Sequence, residues 1–136
     1  MLTSFESQGQ FKMFDGFELA YRRWTRGGQL VRLILALHGI GGHSGNFSAM
    51  GEKIPAELSG TEIIAIGRRG FGNSVEKGHQ RGDVSRFKRY LQDIEEVCLQ
   101  IRDANQGKKF FIFGKSLGCI HALRYARALY SIRGTA

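Results

Sequence analysis

Three short apolar blocks decide what this chain can become: Leu30-Val31-Arg32-Leu33-Ile34-Leu35-Ala36-Leu37, Ile63-Ile64-Ala65-Ile66 and Phe110-Phe111-Ile112-Phe113. They are short, β-branched or aromatic, and nearly free of polar alternation. That pattern predicts strands buried on both faces, as in a parallel sheet. The segments between them carry apolar residues at helical spacing. A short helix is expected from about Asn46, with Phe47, Met50 and Ile54 on one side and Pro55 ending it or starting another turn. A longer helix is expected from Asp83, as N-cap, to about Asn105. Its stripe is Val84, Phe87, Leu91, Ile94, Cys98 and Ile101, and Gly107 stops it. A last helix, apolar nearly all round, follows to about Tyr130 and needs covering structure. Upstream, Phe11, Met13, Phe17, Leu19 and Tyr21 alternate around Asp15-Gly16, the signature of a hairpin over residues 9–24. A hairpin followed by three strand–helix units predicts an α/β fold, with a mostly parallel sheet and helices on both faces.

With 136 residues, 42% of them hydrophobic, the chain is read as one domain, residues 1–136, with a real core. The net charge of +8 comes from basic residues scattered in pairs such as Arg22-Arg23, Arg68-Arg69 and Lys108-Lys109. Without a basic tail this reads as a solvated surface, not a nucleic-acid interface. Cys98 and Cys119 both sit in apolar helical patterns and are expected as buried free thiols, with no metal site. The N-terminus has no signal-peptide pattern and no stretch is long enough to span a membrane, so the expected compartment is the cytoplasm.

Chemistry is concentrated at Gly114-Lys115-Ser116-Leu117-Gly118, which fits Gly-x-Ser-x-Gly between a buried strand and a helix. A sharp turn there would lift the Ser116 hydroxyl clear of the sheet. Only small residues at Gly114 and Gly118 avoid a clash. The Leu117 N–H, at a helix N-terminus, would point at developing negative charge. The loop after the first buried strand, His38-Gly39-Ile40-Gly41, can supply a second donor, for which Ile40 is the candidate.

These residues carry a family resemblance. His38-Gly39-Ile40-Gly41-Gly42-His43-Ser44-Gly45, then Arg69-Gly70-Phe71-Gly72-Asn73-Ser74, then the Ser116 motif follow in order. The chain resembles the N-terminal half of an α/β-hydrolase, in the branch of monoacylglycerol lipases, lysophospholipases and serine aminopeptidases. The resemblance implies that Ser116 is a nucleophile, that His38 and His43 shape the oxyanion loop, and that the substrate is an ester with an acyl chain. It implies later strands and a cap as well. The branch has Asp where this chain has Gly67, so no role resting on that Asp carries over.

A serine nucleophile also needs a base and an orienting acid. In this fold they follow the serine, yet the residues after Ser116 contain no Asp or Glu and one histidine, His121. That histidine lies about 7 Å down the helix axis and is read as a packing residue. His79 falls in a glycine-rich loop, and Lys115 is read as a surface lysine. The triad acid and histidine are therefore not assigned, and the chain is expected to be inactive alone. Residues 110–113 are expected to form an open sheet edge that favours self-association. No cofactor or metal is called for. The alternatives are a non-catalytic fragment or interaction module, and an NADP-binding domain built on Gly39, Gly41 and Arg68. The last leaves the Ser116 motif unexplained, and its third glycine position holds Ser44.

Overall fold

A computed structural model describes residues 4–75, 78, 80, 82 and 87–134. The expected hairpin is there: β1 (Phe5–Lys12) and β2 (Glu18–Thr25) pair antiparallel, Phe11 opposite Leu19. Gly16, with φ of 85°, makes the turn and donates its N–H to the Met13 carbonyl at 2.9 Å. The three strand–helix units follow as β3 (Arg32–Leu37), α1 (Ser48–Glu57), β4 (Thr61–Ile66), α2 (Lys88–Ala104), β5 (Lys109–Gly114) and α3 (Leu117–Gly134). A single 3-10 turn, Ser44–Phe47, leads into α1.

The sheet order is β1-β2-β4-β3-β5, with β3 parallel to both β4 and β5 and β2 antiparallel to β4. The chain steps from β3 outward to β4, then crosses back over β3 to β5. Helices therefore cover opposite faces. Alternate residues of the central strands divide accordingly. Leu33, Leu35, Leu37, Ile64 and Ile66 pack with Ile94, Val97 and Ile101 of α2 and Tyr125 of α3. Ala36, Ile63 and Ala65 pack with Trp24, Phe47, Met50 and Ile54 on the α1 face. Strand β4 is buried at every position, its apolar run Ile63–Ile66 as expected and Thr61 and Glu62 as well. Among the described residues no helix is long and apolar enough to cross a membrane.

Local expectations fail where a distant partner intervenes. Pro55 does not end α1 but lies inside it. A proline there leaves the Gly51 carbonyl without its helical donor, and the Ser4 hydroxyl takes the vacancy at 2.7 Å. Gly51 is also where the fully buried Trp24 ring lies against the helix, in room that a side chain would fill. Strand β5 is not buried on both faces. It is the edge strand, as expected of the last strand, and Phe111 and Phe113 remain 50% and 46% exposed. Cys98 is buried, and burial pushes its thiol up to about 12. Cys119 is exposed, contrary to its apolar setting in sequence, because it lies on an outward face of α3, where its thiol donates to the Gly114 carbonyl at 2.7 Å. The same face exposes Ile120, Leu123 and Tyr130. Phe87 precedes α2 and is more than half exposed, so Tyr90, Ile94, Val97, Cys98 and Ile101 form the buried stripe instead. The expected cap Asp83, with Val84, and the loop histidine His79 lie outside the described residues.

Candidate active site

The sheet topology brings two loops together. Because β5 lies beside β3 and α1 and α3 leave toward opposite faces, a crevice opens between the C-terminal ends of these strands. The β3 loop contributes Gly39 and Ile40; the β5 loop contributes Ser116 and Leu117.

The bend at Ser116 is strained. Lys115 still continues the ladder, its N–H donating to the Leu37 carbonyl at 3.0 Å. At the next residue the chain turns into α3, and Ser116 takes φ of 56°, the one positive value at a described residue other than glycine. Such a conformation costs about 1–2 kcal/mol. The neighbours make it possible. A side-chain carbon at Gly114 would overlap the Gly118 backbone, and one at Gly118 would run into the Leu37 carbonyl. The Ser116 side chain is left exposed at the crest, as is Lys115 beside it.

The opposing loop is held by His38, which has no exposed surface. Its Nε2 accepts the Arg68 backbone N–H at 2.9 Å, so the ring proton sits on Nδ1, which donates to the Gly39 carbonyl at 2.7 Å. Burial, reinforced by the charges of Arg68 and His43, pushes His38 down to about 4 despite the Gly39 contact, so the neutral form is fixed near pH 7. Gly42 N–H also donates to the Gly39 carbonyl, at 3.2 Å. In a trans peptide the N–H points opposite to the carbonyl. Holding the Gly39 carbonyl thus turns the Ile40 N–H the other way. Neither the Ile40 N–H nor the Leu117 N–H donates to a described backbone acceptor, and Ile40 itself is 79% exposed. His43 shapes the far end of the loop: its Nδ1 accepts the Gly45 N–H at 3.1 Å and its own N–H donates to Asn46 Oδ1 at 2.9 Å. A hollow of about 230 Å³ opens beside it, lined by Gly41, Gly42, His43, Phe71, Gly72 and Gly82.

A family model described as Serine aminopeptidase, S33, matches residues 28–134, which include both loops and the bend. The chain belongs to that family. Human monoglyceride lipase is 28% identical over 104 residues, 76% of this chain and 33% of the lipase. Among solved structures, a thermostable carboxyl esterase from Bacillus coagulans superposes with a TM-score of 0.73 at 20% identity, over 89% of this chain and 39% of the esterase. A soluble variant of monoglyceride lipase from Saccharomyces cerevisiae gives 0.65 at 20% identity, over 84% of this chain and 35% of the lipase. These likenesses establish the α/β-hydrolase fold. The S33 chain spans about a third of the length of its human relative.

In this S33 chain the loop after β4 is anchored by charges that the sequence pattern had placed at the surface. Arg68 and Arg69 are 4% and 3% exposed. Arg69 grips Asp93 of α2 with Nε to Oδ2 at 3.0 Å and Nη2 to Oδ1 at 2.9 Å. Its Nη1 reaches Asp15 of the hairpin at 2.9 Å, and its guanidinium lies 4.0 Å from the centre of the Phe17 ring. Arg89 joins Asp93 and Glu96 on the same helix. The i,i+4 spacing of Arg89 and Asp93 is visible in the sequence, but nothing there couples it to Arg69. Ser74, in the same loop as Arg69, is a buried tether, its Oγ accepting the Ala20 N–H at 2.9 Å.

His121 packs as expected of a core residue, with its ring 5.9 Å from Phe87 and 6.3 Å from Tyr90. No described histidine pairs with a carboxylate. The dinucleotide alternative leaves the Ser116 bend unexplained.

Proposed function

We propose that this chain carries the nucleophile and the oxyanion-binding amides of a serine hydrolase of carboxylic esters. The observation that carries the reading is the strained Ser116, exposed at a strand-to-helix bend between two glycines that cannot be larger. In the proposed reaction Ser116 Oγ attacks the ester carbonyl carbon and its proton passes to a base. The carbonyl oxygen becomes an oxyanion, for which the unpaired N–H groups of Ile40 and Leu117 are the proposed donors, Leu117 adding the positive end of α3. Collapse expels the alcohol and leaves an acyl-serine, which water then hydrolyses.

His38 is not a candidate for the base, because both ring nitrogens are engaged in holding the loop. His43 uses Nδ1 on Gly45. We therefore assign the base and its acid to no described residue, and expect slow turnover from the chain by itself. The proposed substrate class is an acyl ester such as a monoglyceride or lysophospholipid. The monoglyceride lipases among its relatives support that class.

The test is labelling with a serine-directed fluorophosphonate, with Ser116→Ala as control. Weak labelling that disappears in the variant supports the reading. Labelling that survives in the variant removes Ser116 as nucleophile. Rapid Ser116-dependent labelling removes the expectation of a sluggish chain.

A further inference from the structure

Next to Arg69, whose guanidinium edge is filled by a carboxylate, stands an arginine whose equivalent edge pairs with no described residue. Arg68 is 4% exposed, and its Nε and Nη2 have no hydrogen-bond partner. These two atoms are a matched pair. Their N–H groups point the same way and form the fork that grips both oxygens of a carboxylate. In Arg69 the same two atoms hold Asp93 at 3.0 and 2.9 Å. His121 of α3 repeats the anomaly. It is 1% exposed, and neither Nδ1 nor Nε2 has a partner.

Both side chains sit at the C-terminal end of the sheet: the Arg68 backbone N–H holds His38 Nε2 at 2.9 Å, and Gly118, three residues before His121 on α3, leaves no room for a side chain against the Leu37 and His38 carbonyls. Burial first, then the charges of Arg68 and Arg124, push His121 down to about 4. Burial also pushes Arg68 down to about 10, with Tyr90 the acidic group facing it. The rings of Phe87 and Tyr90 flank His121 at 5.9 and 6.3 Å. The locality is therefore basic and flanked by aromatic rings, and among the described residues no acidic side chain is paired to its cation. A buried cation without a counter-ion is strongly unfavourable, and orphaned buried donors call for an occupant.

We propose that Arg68 and His121 form a binding site for a small carboxylate, its two oxygens on the Arg68 fork and one of them shared with an imidazole N–H of His121. The Arg68 backbone N–H is the group that holds His38 Nε2, so occupancy bears directly on the loop carrying Gly39 and Ile40. The ligand class is one that ester hydrolysis releases. The assignment itself rests on the fork and is independent of whether Ser116 reacts.

The experiment uses the full isotope-labelled chain, titrated with acetate at constant ionic strength, with chloride as the control anion. The Arg68 Nε–H signal, assigned by its loss in Arg68→Gln, and the His121 ring signals are expected to shift together and saturate with acetate but not with chloride. His121→Phe keeps an aromatic ring and removes the nitrogens. It is expected to weaken acetate binding about tenfold and keeps the test decisive if Arg68→Gln does not fold. A response that is linear, or equal with chloride, overturns the proposal. So does an Arg68 Nε–H signal already paired and unmoved by acetate, which assigns the fork to a carboxylate side chain of the protein itself.

Discussion

Gly39 and Ser116 face each other across the crevice so closely that no side chain fits at Gly39 without a shift. A methyl group placed on Gly39 would stand 3.0 Å from Ser116 Cβ and 3.4 Å from its Oγ. The residues come from different strands, so this spacing gauges how closely the two loops must approach. The Gly39→Ala protein is expected to fold, since φ at Gly39 lies outside the left-handed region. Its Ser116 is expected to be displaced by a few tenths of an ångström, and fluorophosphonate labelling to slow by about tenfold or more. Labelling rate and melting temperature, measured on the same preparation, separate the two effects. An unchanged rate would remove this spacing from any role at the site.

His38 makes stability depend on pH in a stated direction. Its ring takes a proton near the ordinary 6.5 when the chain is unfolded, but only near 4 when it is folded. Between those values the unfolded state binds the proton and the folded state does not. Stability is therefore complete above about pH 6.5 and drains as pH falls toward about 4, by at most about 1.4 kcal/mol per pH unit. His121 acts in the same direction over the same window. Denaturant unfolding at a series of pH values should show this slope, and His38→Asn should flatten it. Stability that is level across the window would contradict the assigned neutral tautomer.

The Arg69 cluster predicts very unequal costs for two acidic residues. The side chain of Asp93 is 4% exposed and that of Asp15 is 41% exposed. Asp93→Ala strands a buried guanidinium and is expected to cost about 3–5 kcal/mol. Asp15→Ala removes a solvent-screened partner and should cost less than about 1 kcal/mol. Equal destabilisation of the two in denaturant melts would show that Arg69 does not depend on Asp93.

We propose that the open edge of β5 joins a second copy of the chain. Phe111 is half exposed there, on a strand with one neighbour. Sedimentation is expected to show concentration-dependent association, and Phe111→Lys to reduce it, because a charge on an edge strand opposes pairing. A wild-type chain that stays monomeric at every concentration would dispose of this interface.

Legibility in the sequence followed the range of the forces involved. Residues 33–37 and 63–66 could be read as buried strands because every side chain there is apolar, whichever face it meets. Residues 110–113 look the same, and their edge position was expected, yet their burial on both faces fails, since composition does not say which face a helix covers. Gly39, Gly114 and Gly118 were legible because backbone crowding at a bend admits almost no alternative residue. The fate of Pro55 was not, for it depends on Ser4, far away in the chain. Arg68 and Arg69 were misread as surface charge. The burial of Arg69 is decided by its partner Asp93, which comes from a helix whose placement only the folded sheet defines.

The parallel alignment of β3 with β5, which sets Leu37 opposite Gly114, has one last implication. Sliding one strand past the other by a single residue would carry residue 116 about 3.3 Å from its station beside residue 39. The sheet is thus the ruler by which the two loops are measured against each other. Mutations deep among the leucines and phenylalanines that shift this register blunt reactivity at the rim in addition to what they cost in stability.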